Sequence, residues 1–170
     1  EAAAAILGKA GLAPRRLAYG KNWFVEAWEG IGSPDHDGDD LPKEMGQMIA
    51  ALHSIDTKWF DSWRQKLREH LPALAGVHPG SHVWWFARRA DEWLGPKSSD
   101  WLEAYGAASY QPLSSAGQVV VTTHGDCHRA NIIRTEGGLK FIDLEFTGVQ
   151  SAVHDLSYAI TCCGWPERRG

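Results

Sequence analysis

Apolar residues recur every three or four positions over much of the first two-thirds of the chain, a spacing that predicts amphipathic helices. The clearest example is residues 41–53, where five apolar side chains would share one helix face. These are Leu41, Met45, Met48, Ile49 and Leu52. Residues 1–11 also favour a helix because alanine and leucine dominate, and Gly11 and Pro14 would end it. Further helices are predicted over residues 58–70, 81–94 and 98–109.

Strand-like segments stand on both sides of these helices. Residues 15–20 and 23–28 have the pattern of two short strands around a turn. Near the other end of the chain, β-branched and apolar runs predict strands over 118–123, 132–134 and 139–142. A Glu-Gly-Gly turn joins the last two into a hairpin, and a final helix is predicted over 154–161. The sequence therefore predicts an α+β fold with its charged chemistry late in the chain.

Composition and charge exclude several classes of protein. The 170 residues are 44% hydrophobic and 22% charged, as in globular domains, which excludes a wholly disordered chain. A formal net charge of −4 argues against a general nucleic-acid binder. No apolar run approaches the roughly 18 residues of a membrane span. The three cysteines, two of them adjacent, form a poor disulfide framework, so we expect a reducing compartment, the cytoplasm.

Three oxygen-bearing side chains lie at the ends of the predicted hairpin. His124-Gly125-Asp126 follows the strand 118–123, and Asn131 stands where the first hairpin strand begins. The hairpin would return Asp143 to the same end, because its arms are short and its turn is tight. Such ligands suit Mg²⁺, which shares its coordination with water and phosphate oxygens. Phosphoryl transfer needs this set: an Asp that takes the acceptor's proton, with an Asn and a second Asp on the metal.

The two segments together resemble a known family. His-Gly-Asp-x4-Asn followed by Ile-Asp-x-Glu is similar to the aminoglycoside phosphotransferase and choline kinase superfamily of small-molecule kinases, whose fold is protein-kinase-like. Glu145, two residues after Asp143 and followed by Phe146, is closer to the choline, ethanolamine and thiamine kinase branch. The resemblance implies a partial N-terminal lobe over 1–30 (helix, two strands, hinge). A mostly helical C-terminal lobe with the catalytic hairpin, truncated at its end, would cover 31–170.

The resemblance implies a role for each matched residue near the hairpin. Asp126 would be the catalytic base, and Asn131 and Asp143 would bind Mg²⁺. Glu145 would assist the metal or the substrate, with a solvated or bracing role as the alternative. Two further residues, His124 and Asp155, would support the geometry of the loop.

The resemblance also implies where nucleotide binds. ATP is the expected cofactor beside Mg²⁺, and its adenine would meet the backbone of a hinge. The residues of this hinge would be Glu26, Ala27 and Trp28. Glu1 stands where the family has a helix glutamate that pairs with the ATP-binding lysine. Because the family's glycine-rich turn and that lysine would precede Glu1, we expect this sequence to be a fragment.

The acceptor is expected to be a small molecule. Trp84 and Trp85 fall in the helical middle of the chain, where this superfamily builds its acceptor pocket. Aromatic faces attract quaternary ammonium groups, which suggests a cationic alcohol such as choline, although packing between helices is the alternative for each tryptophan.

The expected function is transfer of the ATP γ-phosphate to an alcohol hydroxyl of an amino-alcohol or aminoglycoside-like acceptor. The alternative is a catalytically inactive kinase-like binding module, either a pseudokinase or a truncated product. The sequence leaves the oligomeric state open.

Overall fold

A computed structural model of the chain describes residues 2–20, 23–30, 32, 40–70 and 119–162. The helices are α1 (Ala2–Lys9), α2 (Leu41–His53), α3 (Asp61–His70) and α4 (Ala152–Cys162). The strands are β1 (Arg16–Gly20), β2 (Trp23–Glu26), β3 (Val120–Thr123), β4 (Ile132–Thr135), β5 (Gly138–Phe141) and β6 (Gly148–Ser151). Single turns of 3₁₀-helix span Thr57–Phe60, Arg129–Asn131 and Leu144–Phe146. The predicted α+β architecture is confirmed.

Helix α2 forms the centre of the hydrophobic core. All five residues of its predicted apolar stripe are buried, from Leu41 to Leu52. They pack against Leu7 of α1 on one side and against Ile132 and Phe141 of the β4–β5 hairpin on the other. The 3.6-residue period of the sequence therefore marks the buried face of this helix correctly.

Helix α1 ends as its sequence predicts. Gly11 adopts a left-handed conformation with φ of 74°, which glycine reaches without a steric penalty. The backbone N–H of Leu12 then donates to the carbonyl of Leu7 at 2.9 Å, so a terminal carbonyl of the helix is satisfied. The chain turns here and enters β1.

The described strands form three antiparallel pairs, β1 with β2, β3 with β6, and β4 with β5. In the β4–β5 hairpin Ile132 pairs with Phe141 and Thr135 pairs with Gly138, so Glu136 and Gly137 form the turn. This is the hairpin that the sequence predicts. The hairpin is joined to α1 through the backbone, because the N–H of Phe141 donates to the carbonyl of Leu12 at 2.8 Å.

Two ion pairs tie the hairpin to other elements. Arg134 of β4 forms two contacts with Glu44 of α2, at 3.2 and 2.7 Å. Lys140 of β5 pairs with Glu29, which follows β2. Two ion pairs and the core contacts of Ile132 and Phe141 thus both hold the hairpin in place.

The strand β6 was not predicted from the sequence. It spans only Gly148–Ser151, and its residues show neither alternation nor β-branched enrichment, so pairing with β3 alone makes it a strand.

Helix α4 begins at Ala152, two residues before its predicted start. The predicted helix over 58–70 divides into a 3₁₀ turn and α3. The helices predicted over 81–94 and 98–109 lie outside the described residues. None of the helices in the described ranges is both long and apolar enough to cross a membrane.

Candidate active site

The loop after β3 is held by a buried carboxylate from α4. Asp155 is fully buried, and its two oxygens accept the backbone N–H groups of His124, at 3.0 Å, and Gly125, at 2.9 Å. His53 of α2 also contacts Asp155, with Nε2 3.2 Å from Oδ2. These contacts fix the direction in which the chain leaves β3.

Gly125 is required at its position in this loop. Its φ is 84°, and a Cβ placed there would lie 2.4 Å from the carbonyl oxygen of Phe146. The carbonyl of Gly125 lies 3.0 Å from Nε2 of His154 in α4. A side chain at Gly125 would therefore clash with backbone that does not move independently.

The next residue, Asp126, presents a half-buried carboxylate beside Asn131. The amide Nδ2 of Asn131 donates to Oδ2 of Asp126 at 2.9 Å and to its backbone carbonyl at 3.1 Å. His128 contacts the same oxygen, with Nε2 3.3 Å from Oδ2. The structure therefore brings together two of the three oxygen-bearing residues that the sequence predicts to converge, Asp126 and Asn131.

His124 joins the loop to the end of the hairpin. Its Nε2 lies 2.9 Å from the carbonyl of Ile142, and its Nδ1 lies 3.3 Å from the backbone N–H of Asp126. Burial lowers the pKa of His124 and outweighs both its hydrogen bond to Ile142 and the attraction of nearby carboxylates. A neutral ring that donates from Nε2 and accepts at Nδ1 satisfies both contacts. This buried imidazole thus links the backbone of Asp126 to the backbone of Ile142, the residue before Asp143.

The hairpin delivers Asp143 to the mouth of a cavity. Asp143 has φ of 56° and ψ of 61°, a left-handed conformation that few residues other than glycine adopt, although Asp is among the more tolerant. The cavity has a volume of about 740 Å³. Its lining includes Asp143, Glu145 and Glu26 of β2, whereas Asp126 and Asn131 lie outside the lining.

Aromatic residues from several elements also line the cavity. Its aromatic lining residues are Tyr19, Trp23, Phe24, Trp59, Phe60, Trp63 and Phe141. Trp59 is fixed in the wall because its indole N–H donates to Oγ1 of Thr122 at 3.0 Å. The cavity therefore combines apolar surface with the carboxylates of Glu26, Asp143 and Glu145 and with the cationic side chains of Arg16 and Lys66, which suits an organic molecule that carries polar or charged groups.

The predicted hinge residues are only partly directed toward this cavity. Glu26 lines it and is paired with Arg16 at 2.8 Å. The N–H of Ala27 donates to the carbonyl of Arg15 at 2.9 Å, and the side chain of Trp28 is 92% exposed. The role of these residues in binding adenine stays a prediction. Glu1, Trp84 and Trp85 lie outside the described residues.

The donor atoms of this site fit Mg²⁺. Because Nδ2 of Asn131 faces Asp126, the oxygen Oδ1 of the same amide accepts no hydrogen bond from any described residue. Asp143 makes no side-chain capping bond, although it precedes a 3₁₀ turn. An amide oxygen and an exposed carboxylate are hard oxygen donors, which Mg²⁺ prefers. Within the described residues, no group of three His, Cys, Asp or Glu side chains is arranged to hold a metal ion by itself.

Three histidines of the site were not identified as functional from the sequence. The structure places His128 beside Asp126, His154 beside the carbonyl of Gly125, and His53 beside Asp155, the carboxylate that holds this loop. Only His128 had a local signal, since it stands two residues after Asp126. The other two come from distant helices.

Comparison with solved structures identifies the fold as protein-kinase-like. An ethanolamine kinase from Plasmodium vivax matches 98% of this chain and 53% of its own length, with 15% identity and a TM-score of 0.51. An aminoglycoside phosphotransferase from Streptomyces rimosus, solved with ADP and streptomycin, matches 98% of this chain and 67% of its own, with 19% identity and a TM-score of 0.47. A choline kinase from Cryptosporidium parvum matches 89% of this chain and 47% of its own, with 17% identity and a TM-score of 0.43.

The chain thus spans about half to two-thirds of the length of these structures. A comparison with curated proteins gave no match. The model of the phosphotransferase enzyme family, by contrast, matches residues 2–169. The chain therefore belongs to the phosphotransferase enzyme family, as the two catalytic segments of the sequence predicted.

Proposed function

We propose that this chain carries the catalytic loop and metal-binding segment of a small-molecule kinase. The reaction is transfer of the γ-phosphate of MgATP to an alcohol hydroxyl of an amino-alcohol or aminoglycoside-like acceptor. The observation that carries the proposal is the 2.9 Å contact between Asp126 and Asn131, beside the hairpin that ends at Asp143. Family membership and the protein-kinase-like fold support it. The division into an N-terminal lobe over 1–30 and a catalytic lobe over 31–170 is part of the proposal.

Asp126 is the proposed base. Its carboxylate accepts the proton of the acceptor hydroxyl as the bond between that oxygen and the γ-phosphorus forms. The bond from the γ-phosphorus to the oxygen that bridges it to the β-phosphate breaks, and ADP leaves with that oxygen. Because this reaction depends mostly on positioning and charge stabilisation, the rigid contacts around Asp126 are the main requirement on the protein.

Asn131 and Asp143 are the proposed Mg²⁺ ligands, with Glu145 assisting. When bound, the ion neutralises the charge that develops on the phosphates. The left-handed backbone at Asp143 directs this residue to the cavity that also contains Glu26. We propose that the nucleotide occupies this side of the site, with adenine toward residues 26–28.

The acceptor proposed is a cationic alcohol. The lining of the cavity includes Trp23 and Trp63 together with Asp143 and Glu145, besides the cationic Arg16 and Lys66. Aromatic rings and carboxylates together attract ammonium groups. The P. vivax structure that shares the fold is an ethanolamine kinase, which supports an amino alcohol as the first acceptor to test.

The test is a phosphoryl-transfer assay on the purified chain. ADP release from MgATP is measured with choline, ethanolamine and an aminoglycoside, for the wild type and for Asp126→Asn. Loss of a general base lowers kcat by about 100-fold or more, so Asp126→Asn should be nearly inactive. Asp40→Asn is the matched control, because Asp40 is exposed and its side chain makes no capping bond. Equal turnover by Asp126→Asn and Asp40→Asn would contradict the role of Asp126. A wild type that binds MgADP without turnover on any acceptor would favour the inactive binding module.

A further inference from the structure

His128 makes two side-chain contacts with opposite hydrogen-bonding requirements. Its Nδ1 accepts the backbone N–H of Ala130 at 3.2 Å, and its Nε2 lies 3.3 Å from Oδ2 of Asp126. A neutral imidazole carries one proton, on either Nδ1 or Nε2. Because Nδ1 accepts, the proton must be on Nε2, the nitrogen beside the carboxylate. The contact with Ala130 therefore selects the tautomer whose N–H is on the side of Asp126.

Two side-chain nitrogens approach the same oxygen of the Asp126 carboxylate. Nδ2 of Asn131 donates to Oδ2 at 2.9 Å and Nε2 of His128 lies 3.3 Å from it, whereas Oδ1 has no hydrogen bond or ion pair with any described residue. The terminal torsion of an aspartate is broad, so one donor alone would hold the carboxylate poorly. A second nitrogen beside Oδ2 restricts this rotation and leaves Oδ1 to receive a proton.

The same ring also begins the turn that carries Asn131. His128 occupies the N-cap of the 3₁₀ turn Arg129–Asn131, and its backbone carbonyl accepts the N–H of Asn131 at 3.0 Å. The imidazole thus connects the carboxylate of Asp126 with the turn that positions a proposed metal ligand. A solvated surface histidine would not need contacts at both ring nitrogens.

We propose that His128 is a positioning residue that orients the carboxylate of Asp126 for proton transfer. It acts through Asp126 and does not touch the reacting atoms. The inference rests on the proposed function, since it presupposes that Asp126 is the base. It adds to that function the means by which the base is oriented.

Two substitutions separate the contacts of His128. His128→Asn keeps an oxygen near the position of Nδ1, and Asn is a favoured capping residue, so the bond to Ala130 persists. Its side chain is too short to reach Asp126. His128→Gln instead places an amide N–H near the position of Nε2. We expect kcat to fall about tenfold or more in His128→Asn, since small misplacements of a reacting group have effects up to about 100-fold. The KM for ATP should stay within about twofold, and His128→Gln should recover part of kcat.

The experiment measures kcat and KM for ATP of the full chain with the best acceptor among choline, ethanolamine and an aminoglycoside. The imidazole nitrogen shifts of His128 are recorded by NMR on the same samples. Full kcat in His128→Asn, in an active wild type, would overturn the positioning role while leaving the kinase assignment intact. An Nδ1–H tautomer in the wild type would also overturn it. No transfer by the wild type to any acceptor would instead count against the proposed function, and with it against the orientation of a base. An Nε2–H tautomer with a loss of kcat in His128→Asn supports the proposal.

Discussion

His53 and Asp155 meet across the contact between α2 and α4, with Nε2 of the histidine 3.2 Å from Oδ2 of the aspartate. Asp155 has no solvent exposure, and its other donors are two backbone N–H groups of the loop after β3. A buried carboxylate is tolerated only where donors replace the lost water. Asp155 therefore connects the packed helices α2 and α4 to the backbone of His124 and Gly125, which precede Asp126.

Asp155→Asn should destabilise the fold strongly. The substitution keeps the shape of the side chain but turns an NH₂ group toward one of the backbone N–H groups, which then lacks an acceptor. An unsatisfied buried donor costs about 1–3 kcal/mol, so the free energy of unfolding should fall by at least about 1 kcal/mol in urea denaturation. The exposed Asp40→Asn should change it by less than about 0.5 kcal/mol. Equal effects of the two substitutions would show that the carboxylate is not holding the loop.

Gly125→Ala should also be poorly tolerated. The alanine Cβ would lie 2.4 Å from the carbonyl oxygen of Phe146, at a φ of 84° that alanine disfavours. Left-handed backbone at a residue with a Cβ costs about 1–2 kcal/mol before the clash is counted, so we expect a loss of more than about 2 kcal/mol in unfolding free energy. Phosphoryl transfer should fall with it, because the next residue is Asp126.

Gly46→Ala is the matched control for this glycine. Gly46 lies within α2, and a Cβ there meets nothing within 4 Å. Alanine should stabilise the helix by up to about 1 kcal/mol relative to glycine. Similar melting temperatures for the two variants would contradict the close approach described for Gly125.

The fold could be predicted from the sequence wherever the residues of one helix or hairpin are enough to identify it. The apolar stripe of α2 predicted its buried face, and the Glu136-Gly137 turn predicted the hairpin. Strand β6 escaped prediction because its four residues become a strand only through pairing with β3. The convergence of Asp126 and Asn131 follows from short spacing along the chain. The contacts of His53 with Asp155 and of His154 with Gly125 do not, because they depend on how distant helices pack.

Stability should depend on pH through His124. Burial lowers its pKa below the ordinary value of 6.5, so the unfolded chain takes up a proton more readily than the folded chain. Stability from the neutral ring is therefore complete above about pH 6.5 and decreases as the pH falls from there toward the lowered pKa. Urea denaturation at pH 8, 7, 6 and 5 should show this decrease.

His124→Gln is the control for the pH effect. A glutamine does not titrate, so the variant should be less stable than the wild type at pH 8 but should lose less stability between pH 7 and pH 5. The carboxylates Glu29 and Glu44, whose pKa values are lowered by Lys140 and Arg134, lose their contributions only below about pH 4.5 and do not overlap with this range. Parallel pH profiles of the wild type and His124→Gln would assign the dependence to another group.

Glu44→Gln tests the contact between α2 and the hairpin. Both oxygens of Glu44 face Arg134, at 3.2 and 2.7 Å, and the pKa of Glu44 is held below 4.5 chiefly by this hydrogen-bonded pair. About a third of each side chain is exposed, so solvent screening limits the effect, and we expect a loss of about 0.5–1 kcal/mol in unfolding free energy at pH 7. Since Glu44 becomes neutral as the pH falls through its lowered pKa, the difference in unfolding free energy between the variant and the wild type should disappear in acid.

Glu136→Gln removes the same charge from the exposed hairpin turn and should leave stability unchanged. If Glu44→Gln behaves like Glu136→Gln at pH 7, the core contacts alone hold the hairpin against α2.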